Sequence, residues 1–213
     1  MKVLVTGANG QLGYDVIKRL NALGDEPVGA DRKEFDITES KATEDYITAL
    51  RPDAVVHCAA YTAVDKAEDD RDTCRRVNVD GTRNIALSCE KIGAKLVYIS
   101  SDYVFGGSGT QPLEINAPKD PQNIYGITKL GGEEEAKKCQ KHFIVRTSWV
   151  FGINGGNFVK TMLRLADSHE KLTVVDDQTG SPTYTPDLAR LICDMIKTEK
   201  YGTYHASNFG YCT

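Results

Sequence analysis

No apolar run approaches the roughly 18 residues that a membrane-spanning helix requires. The opening MKVLVTGANG does not read as a secretory signal, for it lacks the charged, apolar and small-residue regions of one. There is no marked excess of either charge. A net charge of −4 gives no electrostatic reason to expect nucleic acid or an anionic membrane as partner. None of the six cysteines (Cys58, Cys74, Cys89, Cys139, Cys193 and Cys212) falls in a C-x-x-C pair. None of the four histidines lies at metal-ligand spacing from them. The thiols are therefore read as reduced, in a cytoplasmic protein, and no metal site is assigned. Internal repeats and flexible linkers are also missing. What remains is a chain of 213 residues, 40 % hydrophobic, long enough to bury roughly 70 % of its unfolded surface.

Strand and helix patterns alternate from the start. Short apolar runs at Lys2–Thr6, Pro27–Ala30, Ala54–Cys58, Lys95–Ser100 and Phe143–Thr147 read as buried strands. Between them, Leu12, Val16, Leu20 and Leu23 mark one helix face, with Gly24 at its C-terminal end. Further helices are expected over 39–50, with Thr38 as N-cap, over 73–92 and over 124–138. Buried strands alternating with helices predict an α/β fold, a doubly wound parallel sheet of Rossmann type. The pattern loosens after residue 150. A helix over 158–166, a strand over 172–175, a helix over 186–196 and a strand over 202–207 are expected there. Leu188, Leu191, Ile192 and Met195 are expected to face inward. The chain is thus divided into a dinucleotide-binding domain, 1–150, and a small substrate lobe, 151–213.

The strongest early signal is Thr6-Gly7-Ala8-Asn9-Gly10-Gln11-Leu12-Gly13, which follows a strand and opens a helix. Gly7 permits a tight turn, Gly10 lets backbone approach a pyrophosphate, and Gly13 lets the helix pack close. The helix N-terminus favours phosphate charge. Asp31 lies 18 residues beyond Gly13, where an acid accepts from a ribose hydroxyl and favours NAD. Arg32 and Lys33 follow at once and favour a 2′-phosphate, hence NADP. The two signals conflict, so NADPH and NADH both stay open.

Tyr125-Gly-Ile-Thr-Lys129 places a phenol and an ammonium four apart on one helix face. An ammonium there is expected to lower the phenol pKa and make the tyrosine a general acid toward a carbonyl. Just past the fourth strand, Ser100 and Ser101 compete as the hydroxyl that stabilises charge on a substrate oxygen.

The glycine loop with Ser101, Tyr125 and Lys129 resembles the extended short-chain dehydrogenase/reductases. Further segments narrow this: HCAAYTAVDKAE (57–68), SSDYVFGG (100–107), YGITKLGGE (125–133), VRTSWVFG (145–152), NFVKTMLRLA (157–166) and DQTGSPTYTPDLA (177–189). Together they resemble the dTDP-4-dehydrorhamnose reductase family along the whole chain. The resemblance implies reduction of the 4-keto group of dTDP-4-dehydro-L-rhamnose by NADPH or NADH. It would place Gly10, Gln11, Leu12, Asp31, Asp36, Ile37, Ala60, Tyr61 and Thr62 around the cofactor, and Ser101, Asp102 and Trp149 against the sugar. Tyr125 would give the proton and Lys129 hold the ribose. Ser101 is preferred to Ser100 on this ground, although many relatives have threonine there. The resemblance further implies a homodimer with Mg2+ at the subunit contact in some members, and a chain that continues several tens of residues beyond a segment like NFGYCT. The substrate lobe is therefore expected to be incomplete. Two alternatives share the glycine loop: an epimerase or dehydratase acting on nucleotide sugars, and the NADP-binding regulatory subunit of methionine adenosyltransferase.

Other residues have plainer readings. Asn78 is expected to make a polar contact near the site, and Asn157 and Lys160 to meet a diphosphate or merely start a helix. The loop around Asp177-Gln178 and Pro182-Thr183 is expected to shape the substrate side. His57 is expected to pack at the end of its strand, and Glu133-Glu134-Glu135 to form a solvated helix face.

Overall fold

The computed structural model describes residues 1–109 and 111–213. The strands are β1 (Lys2–Thr6), β2 (Glu26–Ala30), β3 (Ala54–His57), β4 (Lys95–Ser101), β5 (His142–Thr147), β6 (Val150–Phe151), β7 (Thr183–Tyr184) and β8 (Gly202–His205). The helices are α1 (Gln11–Ala22), α2 (Ser40–Leu50), α3 (Val64–Ala67), α4 (Arg71–Arg75), α5 (Thr82–Ile92), α6 (Ile124–Ala136), α7 (Phe158–Ala166) and α8 (Thr185–Met195). Six strands form one parallel sheet in the order β2-β1-β3-β4-β5-β8, and β6 and β7 make a separate small ladder. The chain leaves β1 toward β2, then returns to pair β3 on the other side of β1. That reversal opens a crevice at the carboxyl ends of β1 and β3, where open α/β sheets take ligands.

Alternation along the strands feeds two cores. Val3 and Val5 face α1 and α8, packing with Leu12, Val16, Leu20, Leu188 and Ile192. Leu4, Val55, Leu96 and Ile144 face the other way, onto Ile47 of α2 and Ile85 and Cys89 of α5. Both faces are covered, which is why the strands read as nearly continuous apolar runs.

The structure departs from the sequence expectations in four places. Residues 172–175 form no strand; Val174 and Val175 are exposed. Thr38 does not cap α2, because its amide and hydroxyl both donate to Asp36 Oδ1, at 2.9 and 2.8 Å, in an Asx-type turn. The helix expected over 73–92 begins earlier, as α4, and passes through a π-helical stretch, Arg76–Gly81, before α5. Leu191 is 42 % exposed, on the outer side of α8, while Leu188, Ile192 and Met195 are buried. The 3.6-residue period cannot by itself say how wide the buried stripe is.

The chain also crosses the boundary drawn at residue 150. Helix α8 packs on α1, and β8 extends the main sheet beside β5. Hydrophobic core is shared across that boundary.

Two truncations on neighbouring residues of α8 test this packing. Ile192→Ala should cost about 2–5 kcal/mol of unfolding free energy, and Leu191→Ala less than about 1 kcal/mol, by urea denaturation.

Candidate active site

A cleft of about 1030 Å³ runs along the carboxyl end of the sheet, from Asp31 and Arg32 after β2, past the glycine loop after β1, to Ser101 and Trp149 after β4 and β5. Gly7 holds φ +67°, and its amide donates to Ala30 O at 2.9 Å. A Cβ at Gly7 would stand 2.7 Å from Ala59 N, and one at Gly13 only 2.2 Å from Gly7 O. Glycine at 7 and 13 therefore lets α1 start directly above β1. Gly10 is the N-cap of α1 and has no side chain to bond the amides of its first turn. The turn's free amides and helix dipole then face the cleft, an arrangement suited to a phosphate.

Asp31 follows β2 directly and accepts from the backbone and side-chain amides of Asn9 through Oδ2. Arg32 bends back to Asp36 at 3.2 Å. Both arginine and acid line the cleft, as do Ile37, Ala60 and Thr62. Tyr61 is outside the lining residues. Its amide donates to Asn78 Oδ1 at 2.8 Å, and its carbonyl accepts from Asn78 Nδ2 at 3.1 Å. Asn78 also donates to Thr128 Oγ1 at 3.0 Å, so it ties the segment after β3 to α6. It does this from inside the π-helical stretch, which re-aims a side chain the α-period would have turned elsewhere.

At the other end, β4 and α6 bring Ser101, Tyr125 and Lys129 to one wall. Asn123 caps α6, accepting from Gly126 N at 2.7 Å, and so fixes the turn that carries Tyr125. Ser101 Oγ donates to Asp102 Oδ1 at 2.8 Å and accepts from Tyr103 N at 3.2 Å. Burial pushes the Tyr125 phenol up to about 12. The Ser101 hydroxyl draws it back, while Asp102 and Tyr103 add to the rise. Lys129 is buried. Its Nζ donates to Ile99 O at 2.6 Å and lies 4.3 Å from the Tyr98 ring centre. Burial lowers its pKa to about 7 against the opposing effect of Glu133. The expected lowering of the phenol by Lys129 is thus not what the fold delivers: Tyr125 is held protonated, because desolvation dominates and the ammonium spends its contacts inside the sheet.

Trp149 has φ +46°, in the left-handed region that a bulky residue rarely occupies. The loop before β7 holds it there. A Cβ at Gly180 would stand 2.6 Å from the indole, and Ser148 Oγ donates to Ser181 O at 2.6 Å. Asn157 caps α7 and donates to Gln11 Oε1 at 3.0 Å. Lys160 spends its ammonium on the carbonyls of Ile153 and Gly155 and is not among the cleft residues. Asn154 donates to the carbonyls of Asn9 and Gly10, at 2.8 and 3.1 Å. The segment after β6 therefore docks on the glycine loop, which residue spacing gave no reason to expect.

The largest correction concerns Glu133. It is fully buried, with both carboxylate oxygens on Arg146 at 2.7 Å. Ser100 Oγ donates to Oε1 at 2.6 Å. Glu135 is also mostly buried, paired with Arg83 and Lys138. Only Glu134 of the three is the solvated residue expected. A charged residue inside the strand FIVRT was the available signal that α6 carried an inward acid.

Whether a nicotinamide dinucleotide fits can be judged from these residues. The cleft has the volume, the glycine turn leaves backbone open to it, and Thr147 Oγ1, in the lining, is buried without a hydrogen-bond partner. The fit is good. Among the described residues, no group of three or more His, Cys, Asp or Glu could hold a metal ion. No helix among them is long and apolar enough to cross a membrane.

Fold and site together define the class of a nicotinamide-dependent short-chain dehydrogenase/reductase. The family model described as RmlD substrate binding domain matches residues 1–213. The chain is 44 % identical to spore coat polysaccharide biosynthesis protein SpsK of Bacillus subtilis, over all of this chain and 75 % of that protein. It is 40 % identical to dTDP-4-dehydrorhamnose reductase of Streptomyces griseus, over 99 % of this chain and 71 % of the other. A crystal structure of dTDP-4-dehydrorhamnose reductase from Bacillus anthracis in complex with NADP superposes with a TM-score of 0.96 at 46 % identity, covering 100 % of this chain and 76 % of that one. The chain belongs to the RmlD family of dTDP-4-dehydrorhamnose reductases.

His57 supplies a pH test of this buried end of the sheet. Its ring nitrogens meet Thr6 Oγ1 at 2.7 Å and Thr82 Oγ1 at 3.3 Å. Burial, with the Lys129 charge, depresses its pKa to about 3. An unfolded histidine takes up its proton near pH 6.5. The unfolded state therefore binds the extra proton between those values, and stability falls as pH drops from 6.5 toward 3. The loss should be on the order of 1.4 kcal/mol per pH unit within that window. His57→Gln should flatten that part of the stability–pH curve in urea titrations.

Proposed function

We propose that this chain reduces the 4-keto group of dTDP-4-dehydro-L-rhamnose to dTDP-L-rhamnose, with NADPH or NADH as reductant. The observation that carries this reading is the convergence of Ser101, Tyr125 and Lys129 on a cleft that the glycine loop also lines. The Streptomyces griseus relative bears the reductase name, and the Bacillus anthracis reductase was crystallised with NADP.

Gly7, Gly10 and the first turn of α1 would hold the pyrophosphate. Asp31 and Arg32 would meet the adenosine ribose, with Asp36, Ile37, Ala60 and Thr62 beside it. When bound, the reduced nicotinamide supplies a hydride to the carbonyl carbon. Ser101 Oγ, freed from Asp102, would donate to the carbonyl oxygen and stabilise its growing negative charge. Tyr125 would give its hydroxyl proton to that oxygen. A phenol kept protonated by burial is in the acid form this step needs. Lys129 would place its ammonium at the nicotinamide ribose. Asp102 and Trp149 would border the sugar, Trp149 in the orientation that Gly180 enforces. Arg32 and Asp31 favour different cofactors, and their placement side by side supports use of both.

The test is NADPH absorbance loss with enzymatically generated dTDP-4-dehydrorhamnose. Tyr125→Phe should lower kcat by about 10²–10⁴, and Ser101→Ala by about 10²–10³. A Tyr125→Phe variant as active as the parent would overturn the assignment of the proton donor. A parent that never oxidises NADPH with this sugar would overturn the substrate.

A further inference from the structure

Beneath the wall that carries Tyr125 lies a buried ionic cluster that the proposed reaction does not use. Glu133 stands one helical turn beyond Lys129 on α6, so the two share a face. Its carboxylate takes the Arg146 guanidinium in a bidentate pair, with both side chains almost wholly out of water. It also accepts from Ser100 Oγ. Arg146 reaches further: its Nη1 donates to Ile115 O at 2.8 Å, and the guanidinium stacks 5.1 Å from the Phe105 ring centre. On β4, Ile99, Ser100 and Ser101 are consecutive. Ile99 O accepts from Lys129, Ser100 donates to Glu133, and Ser101 faces the cleft. One carboxylate thus fastens the helix bearing Tyr125 and Lys129 to the strand bearing Ser101.

The groups around Lys129 give that carboxylate a second consequence. Burial raises the pKa of Cys58, Cys74, Tyr98 and Tyr125, and it keeps His57 uncharged. These are the titratable groups that β3 and the residue after it, α4, β4 and α6 present to Lys129, and at neutral pH none of them is charged. Glu133 is the anion on that face and opposes the desolvation of the ammonium, with the Arg146 guanidinium of β5 paired to it as counter-charge. Burying a paired charge adds little net stability compared with a well-packed apolar pair, so stability alone does not account for the cluster.

We propose that Glu133, clamped by Arg146 and Ser100, is a positioning residue that registers α6, and with it Tyr125 and Lys129, against the end of β4. The catalytic consequence rests on the reductase reading above; the link between Glu133 and Lys129 does not.

The experiment follows the Lys129 Cε resonance against pH in protein labelled with 13C-lysine, assigned with Lys129→Arg. It compares the parent with Glu133→Gln, and with the double variant Glu133→Gln/Arg146→Met, which leaves no unpaired guanidinium in the core. The Lys129 midpoint should fall by about one pH unit or more in Glu133→Gln, which leaves the guanidinium unpaired, and by less in the double variant, where both charges are gone. In turnover assays at neutral pH, kcat should drop about tenfold or more, with KM for the keto sugar within twofold of the parent. An unchanged Lys129 midpoint in folded Glu133→Gln overturns the proposal, whatever the turnover. A lowered midpoint with a parent inactive toward the keto sugar supports the Glu133–Lys129 link and overturns the reductase reading instead.

Discussion

The close approach of α1 to the turn after β1 is the constraint on which the rest of the structure depends. No side chain fits at residue 13, because the Gly7 carbonyl already occupies its place. Helix α1 can therefore begin at the very end of the strand, and its amino end points into the crevice between β1 and β3. Other elements are built on that contact. Helix α8 packs along α1, joined by the buried Thr185–Asp15 hydrogen bond at 2.5 Å. Asn154 and Asn157 dock on the glycine loop itself.

The Ser101 end of the cleft is organised by buried polar groups rather than by close backbone contact. Ser100, Glu133 and Arg146 use most of their hydrogen-bonding capacity on one another and on nearby backbone, and Asn78 uses its amide on the Tyr61 backbone and Thr128. Such a cluster has few alternative arrangements, since any slip would leave a charge or amide without a partner in low dielectric. Rigidity there suits the proposed reaction, in which a hydroxyl, a phenol and an ammonium would meet one substrate oxygen and one ribose. The same desolvation that fixes the groups also sets their protonation. Tyr125 keeps its proton, and Lys129 comes close to losing one.

Much of this was legible in the residues. The apolar runs of β1, β3, β4 and β5 and the glycine spacing gave the parallel sheet and part of the cleft. Tyr125 and Lys129 share a face because helices repeat every 3.6 residues, and Ser101 lies at the cleft because it ends a strand. What was not legible depends on neighbours far along the chain. The Glu133–Arg146 pair joins α6 to β5, so a run of three glutamates gave no sign that its first member points inward. Residues 172–175 alternate too briefly to choose a strand without a partner to pair with. The π-helical stretch that aims Asn78 breaks the very period by which helices are read.

Local sequence therefore determined most of the elements, the fold class and the residue types that line the cleft. These follow from backbone sterics, periodicity and the need to bury apolar surface, all of which act over a few residues. Tertiary structure decided which charges are buried, how the segment after residue 150 joins the sheet through β8, and which protonation states Tyr125 and Lys129 hold. Those properties depend on dielectric and on partners brought together from distant parts of the chain, and neither exists until the sheet has closed over them.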